Sequence, residues 1–123
     1  MTKGTQAIQR LWFEPVIGPD LEGFWLEPGQ DLLFGRGSQC EIKLPEATIS
    51  RQHGRLISSE EGCFLVDLGS RLGSFVNDTQ CQKDANSPIT TGDMIRIGPW
   101  TFRASVRKGA PVSMQTIDDS IEV

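Results

Sequence analysis

The sequence predicts an all-β fold, either a β-sandwich or a barrel, and three observations lead to this prediction. Short runs of apolar and β-favouring residues recur along the chain, with turn residues between them. The 123 residues include 13 Gly and 7 Pro, which stand largely between those runs. No window of a dozen residues repeats apolar side chains at the helical period. Several strands at short spacing, joined by glycine-rich turns, are typical of these two architectures.

The first half of the chain holds four predicted strands, over residues 7–13, 24–27, 31–34 and 40–44. The Pro28-Gly29 pair separates the second from the third, since both residues favour turns. In the fourth, apolar and charged side chains alternate, as they do in a strand with one buried face. Pro45 ends that strand.

The second half is predicted to contain two hairpins, over residues 53–58 and 63–68 and over residues 94–97 and 100–106, with a short strand at Phe75-Val76 between them. Asn77-Asp78 suits a tight turn after the short central strand. Gly98-Pro99 lies between the last two strands. The final strand places four apolar side chains on one face: Trp100, Phe102, Ala104 and Val106.

Length and charge indicate one domain and exclude some functions. We expect residues 1–106 to form that domain and residues 107–123, which end in acidic residues, to be a flexible tail. No apolar run approaches the roughly 20 residues of a membrane-spanning helix. Twelve basic and sixteen acidic residues give a net charge of −4, which argues against a nucleic-acid partner.

The cysteines, Cys40, Cys63 and Cys81, are odd in number and widely spaced. They have no metal-ligand spacing to the single His53, so neither a metal site nor a cofactor is predicted. The N-terminus lacks the apolar segment of a signal peptide. We therefore expect a reducing, cytoplasmic setting with free thiols that serve as small core residues.

Three arginines, Arg36, Arg51 and Arg71, fall in predicted loops. Loops of a sandwich collect at its two ends, and a guanidinium offers forked donors to phosphate or carboxylate. Glycines and serines in the same loops add backbone and hydroxyl donors: Gly35, Gly37, Gly69, Gly73, Ser50, Ser70 and Ser74. This pattern predicts an anion pocket, most simply for one phosphate. The alternative is that these arginines are solvated or pair with Glu41, Glu46 or Asp67.

Four motifs in order resemble the forkhead-associated (FHA) domain between about residues 32 and 106: Gly35-Arg36, Ser50-Arg51-Gln52-His53, Asp67 to Asn77, and Thr91 to Gly98. Each motif alone is weak, but the ordered series with strands between its members is specific. The resemblance implies a two-sheet antiparallel β-sandwich. It also implies a non-enzymatic module that binds phosphothreonine peptides through loops at one end.

The resemblance also implies roles for individual residues. Arg36 would contact the phosphate directly, Ser50 would donate its hydroxyl, and Arg51 would add a further contact. Gly35, His53 and Gly73 would support the site, with His53 bracing the loops by hydrogen bonds. Arg71 and Ser74 would lie beside the phosphate.

Leu72 departs from the family pattern, which usually has Asn before Gly73. That Asn would bond the peptide backbone beside the phosphoresidue, and leucine cannot. Two interpretations stay open: a phosphopeptide binder with an altered clamp, or a degenerate module that binds a partner, or itself, without phosphate. A third, an enzyme using Ser50, His53 and Asp67, is disfavoured because no nucleophile elbow is present.

The expected partner is a phosphorylated protein. The tail suggests one further hypothesis, because Thr116 is followed by Asp119, and FHA domains are often selective three residues after the phosphothreonine. Phosphorylated Thr116 would then dock into a neighbouring copy. The alternative is an acidic end that aids solubility.

Overall fold

The computed structural model describes residues 10–107, which form two β-sheets with a shared apolar core. The prediction of an all-β sandwich is confirmed, and the described residues include no helix. No helix in this part of the chain is therefore long and apolar enough to cross a membrane. The strands are β1 (Arg10–Ile17), β2 (Phe24–Leu26), β3 (Asp31–Gly35), β4 (Ile42–Lys43), β5 (Gly54–Ser59), β6 (Gly62–Asp67), β7 (Ser74–Val76), β8 (Thr79–Gln80), β9 (Ser87–Ile89), β10 (Met94–Ile97) and β11 (Trp100–Arg107).

One sheet has the strand order β2-β1-β11-β10-β7-β8, and the other has the order β4-β3-β5-β6-β9. The first and last strands lie side by side, with Arg10 opposite Arg107. Pairing between strands is antiparallel except between β3 and β4, which run parallel, and an isolated parallel bridge joins Asp67 to Lys83. The loop of residues 36–41 carries the chain back alongside β3 before β4 begins, so this two-residue edge pairing is parallel within an otherwise antiparallel sheet.

Two predicted strands differ from those observed by more than one residue at an end. β1 continues to Ile17, because the eight-residue β11 supplies partners that far, with a register shift after Pro15. The fourth predicted strand, 40–44, is reduced to the two residues of β4. Its first residue, Cys40, donates its backbone N–H to Gly37 within the preceding loop, so it takes no part in the ladder.

The predicted hairpins are present, with turns of the expected chemistry. β5 and β6 pair from Gly54 to Ser59, with Ser59 opposite Gly62. Asn77 and Asp78 have φ of 50° and 70° and join β7 to β8. Two consecutive positive φ values are the signature of a two-residue hairpin turn that matches the twist of its strands.

The core lies between the sheets and confirms the alternation predicted for the last strand. Trp100, Phe102 and Ala104 are buried, and Val106 is half-buried. Phe34 belongs to the same core at the end of β3, where its ring stacks on the buried His53 at 5.7 Å between centroids. The core therefore extends directly beneath the loops that follow β3.

All three cysteines are free thiols. Cys40 and Cys81 are buried and Cys63 is half-buried, and burial raises the pKa of each thiol. β11 includes Arg107, which the sequence assigned to the tail. The rest of the predicted tail, with Thr116, lies outside the described residues.

Candidate functional site

Three loops meet at one end of the sandwich: the β3–β4 loop (36–41), the β4–β5 loop (44–53) and the β6–β7 loop (68–73). The N–H of Arg36 donates to the carbonyl of Ser50 at 3.0 Å and joins the first loop to the second. The N–H of Arg71 donates to Ser50 Oγ at 3.0 Å and joins the third loop to the second. Ser50 is therefore the residue at which all three loops connect.

Arg36 is held in place through part of its guanidinium. Its Nε donates to the carbonyl of Ile49 at 2.9 Å, and the next residue, Gly37, donates its N–H to the carbonyl of Arg51 at 3.0 Å. The two terminal nitrogens of Arg36 have no hydrogen-bond partner within residues 10–107. Arg36 thus presents two oriented donors while its stem is anchored.

Gly35 makes this arrangement sterically feasible. A Cβ at this position would lie 2.3 Å from the carbonyl oxygen of Arg51 and 2.8 Å from that of Ser50. Distances this short to backbone atoms exclude every other residue unless the chain moves. Only glycine lets the end of β3 approach the β4–β5 loop closely enough for the Arg36 hydrogen bonds to form.

His53 lies beneath the loops and is fully buried. Its backbone N–H donates to Phe34 at 2.9 Å. Its Nδ1 accepts from the N–H of Ser50 at 3.2 Å, and its Nε2 lies 3.1 Å from the carbonyl of Gly73. These partners require a neutral ring with the proton on Nε2, because Nδ1 must accept and Nε2 must donate.

This geometry does not match the arrangement of Ser50, His53 and Asp67 that the enzyme interpretation requires. Both ring nitrogens of His53 are engaged by backbone groups, and Ser50 Oγ bonds Arg71 rather than the ring. Asp67 Oδ1 is 3.9 Å from His53 Nε2, beyond hydrogen-bond distance. His53 is therefore not placed to take a proton from Ser50.

Asp67 organises the β6–β7 loop from below. Its carboxylate accepts from the backbone of Gly69 and Ser70 at 3.0 and 2.9 Å, and from the hydroxyls of Ser70 and Ser74 at 2.6 and 2.7 Å. Burial acts to raise the pKa of Asp67, but these hydrogen bonds, the side-chain bonds to Ser70 and Ser74 foremost, outweigh it and lower the pKa. The loop is thus built around an ionised carboxylate.

The structure corrects the role that the sequence predicts for Ser74. The sequence predicts that Ser74 contacts the phosphopeptide, but Ser74 is fully buried and its hydroxyl donates to Asp67. It begins β7 beneath the loop and supports the site without reaching its surface. Gly73, predicted to be architectural, is also buried, and its carbonyl receives the His53 bond.

An open groove of about 580 Å³ lies on one side of the converging loops. It is lined by Arg36, Gly37, Ser38, Gln39, Arg51 and Gln52. Gln52 Nε2 donates to Gln39 Oε1 at 3.2 Å across the groove walls. The lining contains two cations and no acidic side chain, so the groove suits an anionic ligand.

The alternative of arginine–carboxylate pairing does not hold for the described residues. Within residues 10–107, none of Arg36, Arg51 and Arg71 forms an ion pair. Their nearest candidate partners along the chain are otherwise engaged. Glu41 accepts from the Leu33 backbone, Glu46 accepts from Thr48, and Asp67 is used by its own loop.

Arg71 and Leu72 form the exposed tip of the β6–β7 loop. Arg71 contributes its backbone N–H to Ser50, and it does not line the groove that Arg36 and Arg51 share. Leu72 is 50% exposed. The structure therefore brings Arg36, Arg51 and Ser50 together and places Arg71 and Leu72 next to them.

Sequence reasoning missed the structural role of Asp67 and the amide pair Gln39 and Gln52. For Asp67 a signal exists, because an Asp followed two and three residues later by Gly69 and Ser70 is typical of a turn closed by the carboxylate. For the two glutamines no local signal exists, since thirteen residues separate them.

Comparison with known proteins agrees with this fold. The sequence model of the FHA domain matches residues 32–98. A homologue of a protein phosphatase 1 regulatory inhibitor subunit from Arabidopsis thaliana is 32% identical over 80 residues, which are 63% of this chain and 22% of that protein. An oxoglutarate dehydrogenase inhibitor from Corynebacterium efficiens is 33% identical over 82 residues, 66% of this chain and 55% of that protein. The chain thus spans about a fifth to a half of these relatives.

Solved structures match over most of this chain. The solution structure of the FHA domain of an Arabidopsis thaliana hypothetical protein has a TM-score of 0.76 and 26% identity, covering 85% of this chain and 91% of that one. A structure from an analysis of phosphothreonine-dependent FHA domain interactions has a TM-score of 0.69 and 24% identity, covering 80% and 98%. At 24% identity, the match to this second structure shows a shared fold.

Proposed function

This chain belongs to the FHA domain family, and we propose that it is a phosphothreonine-peptide-binding module for protein–protein interaction, with an altered clamp at Leu72. One observation carries the proposal. The side chain of Arg36 is anchored through its Nε, which leaves its terminal nitrogens available to a ligand. Arg36 and Arg51 line the same groove, and no acidic side chain lines it with them. A dianionic phosphate is the ligand that such a pair of guanidinium groups binds best.

The binding mechanism requires no chemical step. The phosphate accepts from the guanidinium groups of Arg36 and Arg51, while the Ser50 hydroxyl accepts from Arg71 N–H and retains its own hydrogen for the ligand. Charge-assisted bonds of this kind are about twice as strong as neutral ones. The module therefore recognises the modified residue and holds it without converting it.

Preorganisation of the loops supports the same function. Ser50 is bonded at its N–H, its carbonyl and its hydroxyl to three different residues before any ligand arrives. Ordering a flexible loop on binding costs free energy, and a loop that is already ordered avoids that cost. The anchored loops thus suit selective binding of a small charged group.

The altered clamp is expected to reduce affinity. Leu72 offers no amide to the peptide backbone, and one lost hydrogen bond with a buried unpaired partner costs about 1–3 kcal/mol. This cost corresponds to an increase in Kd of roughly ten- to a hundredfold. We therefore propose a binder that is weaker toward the peptide backbone than a member with Asn at this position.

The test is an array of ten-residue peptides with a central phosphothreonine, threonine or phosphoserine, measured by fluorescence polarisation. We expect binding to the phosphothreonine peptides and none to the threonine versions. Arg36→Ala and Ser50→Ala should each abolish most of the signal. Arg103→Ala is the matched control, because it removes the same charge from an exposed position on β11, away from the loops.

Two results would overturn the proposal. Equal binding of phosphorylated and plain peptides would favour the degenerate module that associates without phosphate. Loss of binding in the Arg103 variant as large as in the Arg36 variant would show that net charge, and not the groove, attracts the peptide.

A further inference from the structure

Leu72 is an exposed leucine in a site made of polar groups. Among the described residues, the large apolar side chains that are exposed are Val16, Ile17 and Leu72, and of these only Leu72 belongs to the three converging loops. Half of its surface faces solvent. A single exposed leucine is ordinary on most surfaces, so its position and rigidity decide whether it matters.

The backbone on both sides of Leu72 is fixed. Arg71 donates its N–H to Ser50 Oγ, Gly73 donates its N–H to Ser70 Oγ at 2.9 Å, and the carbonyl of Gly73 is bonded by His53. Gly73 has a φ of 87°, which turns the chain sharply after Leu72. The leucine is therefore held outward at the tip and cannot collapse onto the core without breaking these bonds.

Leu72 is also within reach of a peptide whose phosphate is held at Ser50, as in the proposed function. The N–H of Arg71 is 3.0 Å from Ser50 Oγ, and successive Cα atoms are about 3.8 Å apart. An extended peptide advances about 3.3 Å per residue. A side chain one or two residues from a phosphothreonine held at Ser50 therefore reaches the tip where Leu72 lies.

From these relationships we infer that Leu72 is a specificity-determining residue, which selects phosphothreonine peptides with a large apolar side chain within two residues of the phosphothreonine. This inference rests on the proposed function. A leucine has no donor or acceptor, so its contact with a peptide is favourable only when apolar surface is buried on both sides. Recognition next to the phosphate thus moves from the peptide backbone to a side chain.

The experiment uses alanine-based ten-residue peptides with a central phosphothreonine, in which each position from −2 to +2 is replaced in turn by Leu, Gly, Ser or Glu. At one of these positions we expect the leucine peptide to bind about fivefold more tightly than the glycine peptide, from partial burial of two apolar side chains. Equal binding of leucine and glycine peptides at all four positions would refute the inference.

Variants identify the residue responsible. Leu72→Ala should reduce the difference in affinity between the leucine and glycine peptides to less than about twofold. Leu72→Met should preserve that affinity ratio, because methionine keeps the apolar surface. Ile17→Ala is the matched control, since Ile17 is 61% exposed on a strand outside the loops, and it should leave the ratio unchanged. A ratio that survives in Leu72→Ala, or falls in Ile17→Ala, would contradict the inference.

The failures of the two proposals are distinguishable in the same data. If no peptide shows dependence on the phosphate, the proposed function fails and the inference with it. If binding depends on phosphate and on Arg36, while leucine and glycine peptides bind alike, only the inference about Leu72 is wrong.

Discussion

Nε2 of His53 lies 3.1 Å from the carbonyl oxygen of Gly73, and this contact joins two loops that are twenty residues apart in sequence. The other ring nitrogen of His53 accepts from Ser50, so one buried ring spans the site. Because the ring is neutral and both nitrogens are engaged, the histidine acts on the site only through the positions of Ser50 and Gly73.

His53→Ala is expected to weaken both folding and phosphopeptide binding. The change leaves a cavity and removes the partner of two backbone groups, the N–H of the half-buried Ser50 and the carbonyl of the buried Gly73. We expect a loss of about 2–4 kcal/mol in the free energy of unfolding, measured with urea. Gln82→Ala, at an exposed position, is the control. Full phosphopeptide affinity in the folded His53 variant would show that the ring does not position the loops.

Asp67 is expected to make the free energy of unfolding depend on pH. Its pKa is lowered in the folded protein, because hydrogen bonds to the carboxylate outweigh the effect of burial. The ionised carboxylate therefore contributes its full stabilisation above the pKa of Asp67 in the unfolded chain, about 3.9. That contribution is lost as the pH falls through the lower pKa of Asp67 in the folded protein. At pH 7, Asp67→Asn should cost about 1.5–3 kcal/mol, since charge-assisted bonds are lost.

The same variant tests the direction of this dependence. Urea unfolding of the native chain and of Asp67→Asn is measured between pH 7 and pH 2. The difference between their free energies of unfolding should shrink below about pH 4. A difference that stays constant or grows with acid would mean that Asp67 is not the group responsible.

Gly35→Ala is expected to disturb the site through the backbone. The new Cβ would lie 2.3 Å from the carbonyl oxygen of Arg51, so the β4–β5 loop must move. We expect a loss of about 1–3 kcal/mol in stability and a larger fractional loss in phosphopeptide affinity. Gly29→Ala is the matched control, because Gly29 has a φ of 83° and open space around it. It should cost some stability and leave binding intact.

Leu72→Asn is expected to strengthen binding to a phosphothreonine peptide flanked by glycine. The new amide can bond the peptide backbone, which we expect to raise affinity roughly tenfold. With glycine flanks no apolar contact is lost in exchange. Isothermal titration of both proteins with the same peptide gives the comparison, and no gain in affinity would mean that residue 72 does not face the peptide backbone.

Much of the secondary structure could be predicted because its causes are local. Asn77-Asp78 forms the expected two-residue turn, and the alternation from Trp100 to Ala104 marks the buried face of β11. Both depend on side-chain and backbone preferences over a few residues. The bounds of β1 and β4 were predicted less well, because a strand ends where its partner ends, and the partner of β1 lies at the other end of the described chain.

The roles of Ser74 and Arg71 show why the site was only partly predictable. A hydroxyl in a loop motif has the same chemistry whether it faces ligand or core, and only the packing of β7 sends Ser74 to Asp67. The sequence points to the guanidinium of Arg71, yet the backbone N–H of Arg71 makes the contact with Ser50. Residue type indicates which bonds a group can form, and three-dimensional placement decides which one it forms.

The amino acids alone predicted the strands, the hairpins and the arginine-bearing loops, because turn chemistry and strand periodicity act between near neighbours. The sandwich and the family followed from the resemblance of four ordered motifs to the FHA domain. Tertiary structure decided that Ser50 connects three loops, that Arg36 and Arg51 share one groove, and that Leu72 is held outward beside them. Those relationships arise when sheets pack and bring distant segments to one end, which no short stretch of sequence encodes.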